Sequence, residues 1–286
     1  MSSPAISASD LVYSYGDVKA VDGVSFSVAP GETLGFLGPN GAGKSTTIKM
    51  LTGQLRPNRG SIEILGMGMA DRREDIQGRI GVCFEEKNLY SAMSGRENLV
   101  FFARLHGVDA DPDELLDRVG LSTRGRDRVA GYSKGMRQRL MMARALVNSP
   151  DVLFLDEPTD GLDPVSARTI RELIRAEAAR GAAVLLTTHD MYEADGLSDR
   201  VAFINQGKIL ATDTPENLKL THGRRTVRVR YRDDGGTSEQ IIDLDRDGAE
   251  DEVRDAVSRP DVITIHTEEA TLEDIFVMFA GRGLDA

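Results

Sequence analysis

Apolar and polar positions divide the chain into stretches with different rhythms. From about residue 9 to 65, short apolar runs bounded by turn formers predict strands in "LVYSYG", "VSFSVAP", "ETLGFLG" and "GSIEILG", with one helix in "KSTTIKMLTGQL". Between roughly 86 and 148 the strand signal fades. Helical spacing takes over in "GRENLVFFARLHG", "PDELLDRVG" and "GMRQRLMMARALV", which predicts a helical insertion. Strand and helix then alternate through "DVLFLD", "SARTIRELIRAEAARG", "AAVLLTTH" and "VAFINQG", the pattern of a parallel sheet covered by helices. After "DTPENLKLTHGRR" the character changes. "TVRVRYR" alternates strictly, with Val227, Val229 and Tyr231 on one face and Arg228, Arg230 and Arg232 on the other. A polar turn "DDGGTSEQ", a strand "IIDLD", an acidic helix, a strand "VITIH" and a helix in "TLEDIFVMFAG" complete a small appended α/β unit. The arginine stripe could touch lipid head groups or nucleic acid, but on so acidic a chain it reads as a solvated strand face.

Composition narrows the classes. A chain of 286 residues has material for one large domain, or for a large and a small one. Its net charge of -11 argues against a duplex-binding protein, which needs an excess of Lys and Arg to neutralise phosphates. No nucleic-acid partner is expected, although a local site on an acidic protein can still take a small anion. The one cysteine, Cys83, lies in the strand-like "RIGVCF" and reads as a buried core thiol. The N-terminus lacks a charged-then-apolar segment, and no apolar run approaches the ~20 residues that span a bilayer. A cytoplasmic chain that can sit against a membrane protein is the expectation.

The chemistry is concentrated in a few places. "GPNGAGKST" fits the G-x-x-x-x-G-K-[ST] phosphate loop, with Gly38, Pro39, Asn40, Gly41, Ala42, Gly43, Lys44, Ser45 and Thr46 between an apolar strand and a helix. Its glycines let successive N–H groups point into one concavity, Lys44 would reach the β and γ phosphates, and the Ser45 hydroxyl would help hold Mg²⁺. In "VLFLDEPTDGLDP" an oily strand runs into Asp156 and Glu157, where charge is expensive unless paired or metal-bound. Asp156 at the strand end can serve the metal of a bound triphosphate. Glu157 would face the γ phosphate and deprotonate the attacking water. His189 ends another apolar strand. Gly38, Asp156 and His189 should therefore converge at the carboxyl edge of one parallel sheet, with His189 bonding the γ phosphate or the water.

Taken together these motifs resemble the nucleotide-binding subunit of an ABC transporter over about residues 8 to 220. The resemblance implies an α/β P-loop NTPase core (1–220) with an antiparallel β subdomain and a helical subdomain at about 86–148, followed by a small accessory domain (221–286). It also implies that Tyr15 stacks on adenine. "YSKGMRQ" stands in the place of the family signature, here Ser133, Lys134, Gly135 and Met136, so that Ser133 and the backbone of Gly135 would grip the partner's nucleotide in a head-to-tail homodimer with ATP at its interface. "GLDP" matches the D-loop, with Asp163 crossing to the partner, and His189 falls on the switch histidine.

Two departures stand out. Glu85 occupies a position that is usually Gln, and a carboxylate there can only accept hydrogen bonds; it is expected to serve the metal and coupling, not to be a second base. Lys134 and Met136 replace the middle Gly and final Gln of the signature. Lys134 either adds positive charge near the partner's nucleotide or is solvated; Met136, Met141 and Met142 read as helix-packing residues. The ending "EEATLEDIFVMFAGR" is similar to tails of stand-alone ATPases that serve separately encoded export permeases. The implied function is a Mg²⁺-dependent ATPase that powers an exporter through such a permease, peripheral on the inner face of the membrane. A soluble ATPase of the same superfamily, acting on ribosomes or DNA, is the rival.

Overall fold

The strand runs foreseen in the sequence form, but several extend further than local pattern implies. The computed structural model describes residues 3–84, 88–233 and 236–282. Its first unit, Met1–Thr212, opens with β1 (Ile6–Tyr15) and β2 (Val18–Val28), continues through β3 (Thr33–Leu37), α1 (Lys44–Leu51), β4 (Arg59–Ile64) and β5 (Met67–Gly68), and reaches α2 (Arg73–Gln77) and β6 (Ile80–Cys83). Helices α3 (Gly95–His106), α4 (Pro112–Arg118) and α5 (Lys134–Ala145) follow. The unit ends with β7 (Val152–Asp156), α6 (Pro164–Ala179), β8 (Ala183–Thr188), α7 (Met191–Leu197), β9 (Arg200–Asn205) and β10 (Lys208–Asp213). β1 begins at Ile6, ahead of the apolar run at Leu11, because its early residues are held from both sides: Ile6 pairs with Val28 and with Ile64.

Two sheets result. One is antiparallel, in the order β2-β1-β4-β5. The other has the order β10-β9-β3-β8-β7-β6, and its β6, β7, β8, β3 and β9 run parallel. The unbroken oiliness of β7 now has a cause. Phe154 packs into the core between the parallel sheet, α1 and the antiparallel sheet, while Leu153 and Leu155 join the opposite core under α5 and α6. A strand covered on both faces has no polar side to show. Cys83 belongs to that second core and is fully buried, as are Met141 and Met142.

Local chemistry sets the helix ends. Ser94 and Glu97 form a reciprocal capping box at the start of α3. Asp163 caps α6 ahead of Pro164 by accepting from the N–H groups of Val165 and Ser166. Glu177 of α6 is the main charged group in this part of the interior. It is clasped by Arg118 from α4 and by Arg180 at 2.7 Å, and its side chain is only 3% exposed. Removing Glu177 takes away charge-assisted hydrogen bonds to two partly exposed guanidinium groups, 34% and 43% exposed, so Glu177→Ala should lower unfolding free energy by about 1–2 kcal/mol. Urea denaturation checks this; a loss under about 0.5 kcal/mol would class the clasp with ordinary surface pairs.

The second unit, Asp213–Ala286, holds α8 (Pro215–His222), β11 (Thr226–Asp233), β12 (Gly236–Asp243), α9 (Ala249–Val257), β13 (Val262–Glu268) and α10 (Leu272–Arg282). It starts at Asp213, ahead of residue 221, because α8 packs on α10, with His222 edge-on to Phe279 at 4.9 Å. Its antiparallel sheet has the order β12-β11-β13. Residues 236–240, read as turn in the sequence, are strand, because each pairs across to β11 and tertiary pairing overrides weak local propensity. On the arginine face Glu239 takes both Arg228 and Arg230, the latter at 3.3 Å. Val227, Val229 and Tyr231 fill the core on the other face.

Candidate functional site

The phosphate loop runs from the end of β3 into α1, and its glycines are required by what surrounds them. A Cβ on Gly38 would lie 2.1 Å from the Ile204 carbonyl oxygen, and Gly43 adopts φ 106 with the Ala20 carbonyl 2.5 Å from where a Cβ would be. The loop is braced by the β9–β10 turn, since Gly207 donates its N–H to the Ala42 carbonyl at 3.0 Å and accepts from the Asp22 N–H at 2.8 Å. Gly43 occupies the N-cap of α1 without a side-chain cap. The first N–H groups of that helix therefore remain open to an anion. Lys44, 6% exposed, turns its ammonium back onto the loop and donates to the carbonyls of Gly38 (2.6 Å) and Pro39 (3.3 Å).

β3, β8 and β7 are neighbours, so Gly38, His189 and Asp156 emerge at one edge of the sheet. Asp156 is buried. One of its oxygens accepts from the Ser45 hydroxyl at 3.2 Å and from the Thr187 hydroxyl at 2.5 Å, and among the described residues it forms no ion pair. Glu157 follows in the left-handed backbone region at φ 49, its N–H shared between the carbonyl (3.1 Å) and hydroxyl (3.2 Å) of Thr187. Its Oε1 lies 3.3 Å from Lys44 Nζ, an ion-pair separation without hydrogen-bond alignment. Its Oε2 lies 3.0 Å from His189 Nδ1. An ionised carboxylate only accepts, so the shared proton there is the one on Nδ1.

The signature and the D-loop meet within the chain. Ser133 caps α5, its Oγ accepting from the Met136 N–H at 3.1 Å, while Tyr132 is buried with its hydroxyl donating to the Arg124 carbonyl at 2.7 Å. Burial pushes the Tyr132 phenol up from its ordinary value. Hydrogen bonds from Ser166 hold the Asp163 carboxyl low. Lys134 lies over Gly161 and reaches Asp160 at 3.3 Å. Half-exposed, it forms an ion pair within its own chain. Met136 packs against the helical core.

Gly135 is confined: a Cβ there would be 2.6 Å from Ser166 Oγ and 3.2 Å from Asp163 Oδ2. Gly135→Ala should displace the D-loop. It should lower steady-state ATPase about tenfold while nucleotide affinity of the dilute chain, read by fluorescent-nucleotide titration, stays unchanged. Unaltered ATPase would show that the loop tolerates the shift.

Tyr15 ends β1, is 48% exposed, and stands edge-on to Tyr13 at 4.9 Å. Glu85 lies outside the described residues. The sequence alone did not single out Thr187, whose signal was a pair of threonines at the end of an otherwise apolar strand, nor Thr159 and Glu193. The buried Glu193 accepts from the Thr159 hydroxyl and has Arg171 3.5 Å away. Burial raises its carboxyl, against the opposing pull of Thr159 and Arg171.

A phosphate loop leading off the central strand of a parallel sheet, with an antiparallel sheet on one side and a helical insertion on the other, defines a P-loop NTPase. The chain belongs to the ABC transporter family, whose sequence pattern matches residues 21–160. It is 49% identical to the fluoroquinolones export ATP-binding protein of Mycobacterium tuberculosis, over 93% of this chain and 89% of that one. It is 39% identical to the Nod factor export ATP-binding protein I of Bradyrhizobium diazoefficiens, over 100% and 99%. A solved ATP-binding subunit of an ABC transporter matches with TM-score 0.70 and 31% identity, over 76% of this chain and 92% of that chain. The protein is thus an ATPase of this family, and ATP is its nucleotide. No helix among the described residues is long and apolar enough to cross a membrane.

Proposed function

We propose that this ATPase powers an exporter through a separate membrane-spanning permease, working as a head-to-tail homodimer with ATP at its interface. The observation that carries the hydrolytic part is the setting of Glu157. Its carboxylate stands between Lys44 and His189, next to an Asp156 already bonded to the Ser45 hydroxyl.

In this reading the triphosphate lies on the loop Gly38–Thr46 against the open end of α1, and Tyr15 stacks on the adenine. Lys44 leaves the carbonyls of its own loop for the β and γ phosphates. Glu157 takes a proton from the attacking water, and His189 orients Glu157 and the γ phosphate. The site fits Mg²⁺: Asp156 and Ser45 offer hard oxygen ligands 3.2 Å apart, and among the described residues the carboxylate forms no ion pair. Among the described residues there is no cluster of three acidic, His or Cys ligands, as suits an ion that keeps its waters and leans on phosphate. When bound, the ion would neutralise charge developing on the phosphates. Across the dimer, Ser133 and Gly135 at the start of α5 would hold the partner's γ phosphate, and Asp163 would cross to the partner.

In this reading the permease would seat on a groove of about 980 Å³ lined by Phe84, Tyr90, Phe102, Leu105, His106 and Arg144. The export direction follows the named roles of the relatives. The deciding experiment is capture of tagged Glu157→Gln chain from gently solubilised cells in Mg·ATP, followed by mass spectrometry. A stoichiometric multi-span membrane protein supports the transporter reading. Ribosomal partners, or none after crosslinking, would overturn it.

A further inference from the structure

Glu193 is a buried carboxylate to which the hydrolytic scheme gives no task. It stands on α7, four residues after His189, and is 7% exposed. One oxygen accepts from the Thr159 hydroxyl. The other has no hydrogen bond, with Arg171 of α6 at 3.5 Å. The Glu193 N–H donates to Asp190 Oδ1 at 3.0 Å, which ties the residue to the turn just after His189. The residue also lines a cavity of about 330 Å³ together with Glu157, His189 and Arg171.

The reason for such an anchor lies in the backbone of Glu157. A residue with a β-carbon held at φ 49 carries strain of about 1 kcal/mol or more. Such a conformation persists only where the surroundings over-determine it. Thr187 fixes the N-terminal side of Glu157 through two contacts to its N–H. On the C-terminal side Pro158 has no N–H to give, and the Asp160 N–H reaches the Glu157 carbonyl only at 3.3 Å. Thr159 is the first side chain beyond Glu157 that is fastened to another element, and its fastening is Glu193.

We propose that Glu193 is a positioning residue of this ATPase: through Thr159 it holds the segment following Glu157 against the helix that follows His189, and so keeps the two site residues in register. The inference rests on Glu157 being the base, as read above. It makes one carboxylate a latch between the loop leaving β7 and the loop leaving β8.

Steady-state ATPase kinetics of the full chain test it with Glu193→Ala, Glu193→Gln, Thr159→Val and the double variant Glu193→Ala/Thr159→Val. Either latch-breaking single change should lower kcat about tenfold or more, because misplacing a reacting group by an ångström has effects of that order. The KM for ATP should stay within about twofold. The double variant should be no slower than the slower single one, and Glu193→Gln, which still accepts from Thr159, should recover most of the rate. Parental kcat in Glu193→Ala, losses that multiply in the double variant, or Gln as poor as Ala would each overturn the latch. A rise in KM matching the fall in kcat would mean general loosening of the fold, and would also overturn it. If Glu193→Ala does not fold, Thr159→Val and Glu193→Gln still decide the matter. The base assignment is judged separately by Glu157→Gln, so failure of the latch is distinguishable from failure of that reading.

Discussion

Glu157→Gln should bind Mg·ATP with nearly parental affinity and release phosphate about 10³-fold more slowly. The amide keeps the shape of the carboxylate, and its oxygen can still accept from His189 Nδ1, now at 3.0 Å from Glu157 Oε2. It cannot take up a proton. The change also removes the negative charge 3.3 Å from Lys44, so the ammonium is freer to turn to phosphate. The variant should therefore accumulate as an ATP-bound dimer. Phosphate release under saturating Mg·ATP and light scattering of the same sample measure the two halves of this expectation. Release within a fewfold of the parent would put the base elsewhere. Scattering from monomer alone at high concentration would mean that the head-to-tail dimer needs the permease or is wrong.

Lys44→Ala should lose ATP affinity about 100-fold. The ammonium sits in a nearly closed setting, held by two loop carbonyls and one carboxylate, and a triphosphate would replace those partners with its own oxygens. Two charge-assisted hydrogen bonds at about 1.5 kcal/mol each give that factor. Lys44→Arg should not restore binding, because a planar guanidinium does not fit where a compact ammonium is wrapped by the turn. Titration with a fluorescent ATP analogue reads both. Affinity within about threefold of the parent in Lys44→Ala would show that the backbone N–H groups of the loop and of α1 suffice without the side chain. Thermal stability should fall modestly, since among the described residues the Glu157 carboxylate, 11% exposed, then keeps only His189 as a side-chain partner.

Much of the site was legible because its signals are local. Nine consecutive residues spell the phosphate loop, and Asp156 and Glu157 betray themselves as acids at the end of an oily run. The convergence of Gly38, Asp156 and His189 followed from the geometry of parallel strands. What remained hidden depends on contacts between distant segments. Nothing near Gly207 announces that its N–H braces Ala42, and nothing near Thr159 announces Glu193, because each pair is joined only after the sheet is assembled. β12 was read too short for the same reason: Gly236, Thr237 and Ser238 have turn-like identities and become strand by pairing with β11. The boundary read at residue 221 and the compact unit beginning at Asp213 differ by α8, which looks like the end of the preceding domain until α10 is there to pack on it.

The contact between Lys134 and Asp160 has a bearing on segment exchange. As an exposed pair it contributes little stability, yet it lays the signature lysine across Gly161 of the same chain, where a glycine at 134 would leave the space open. Residues 133–136 and 159–163 are thus fitted to each other inside one subunit. A chimera that imports either segment from a relative should take both.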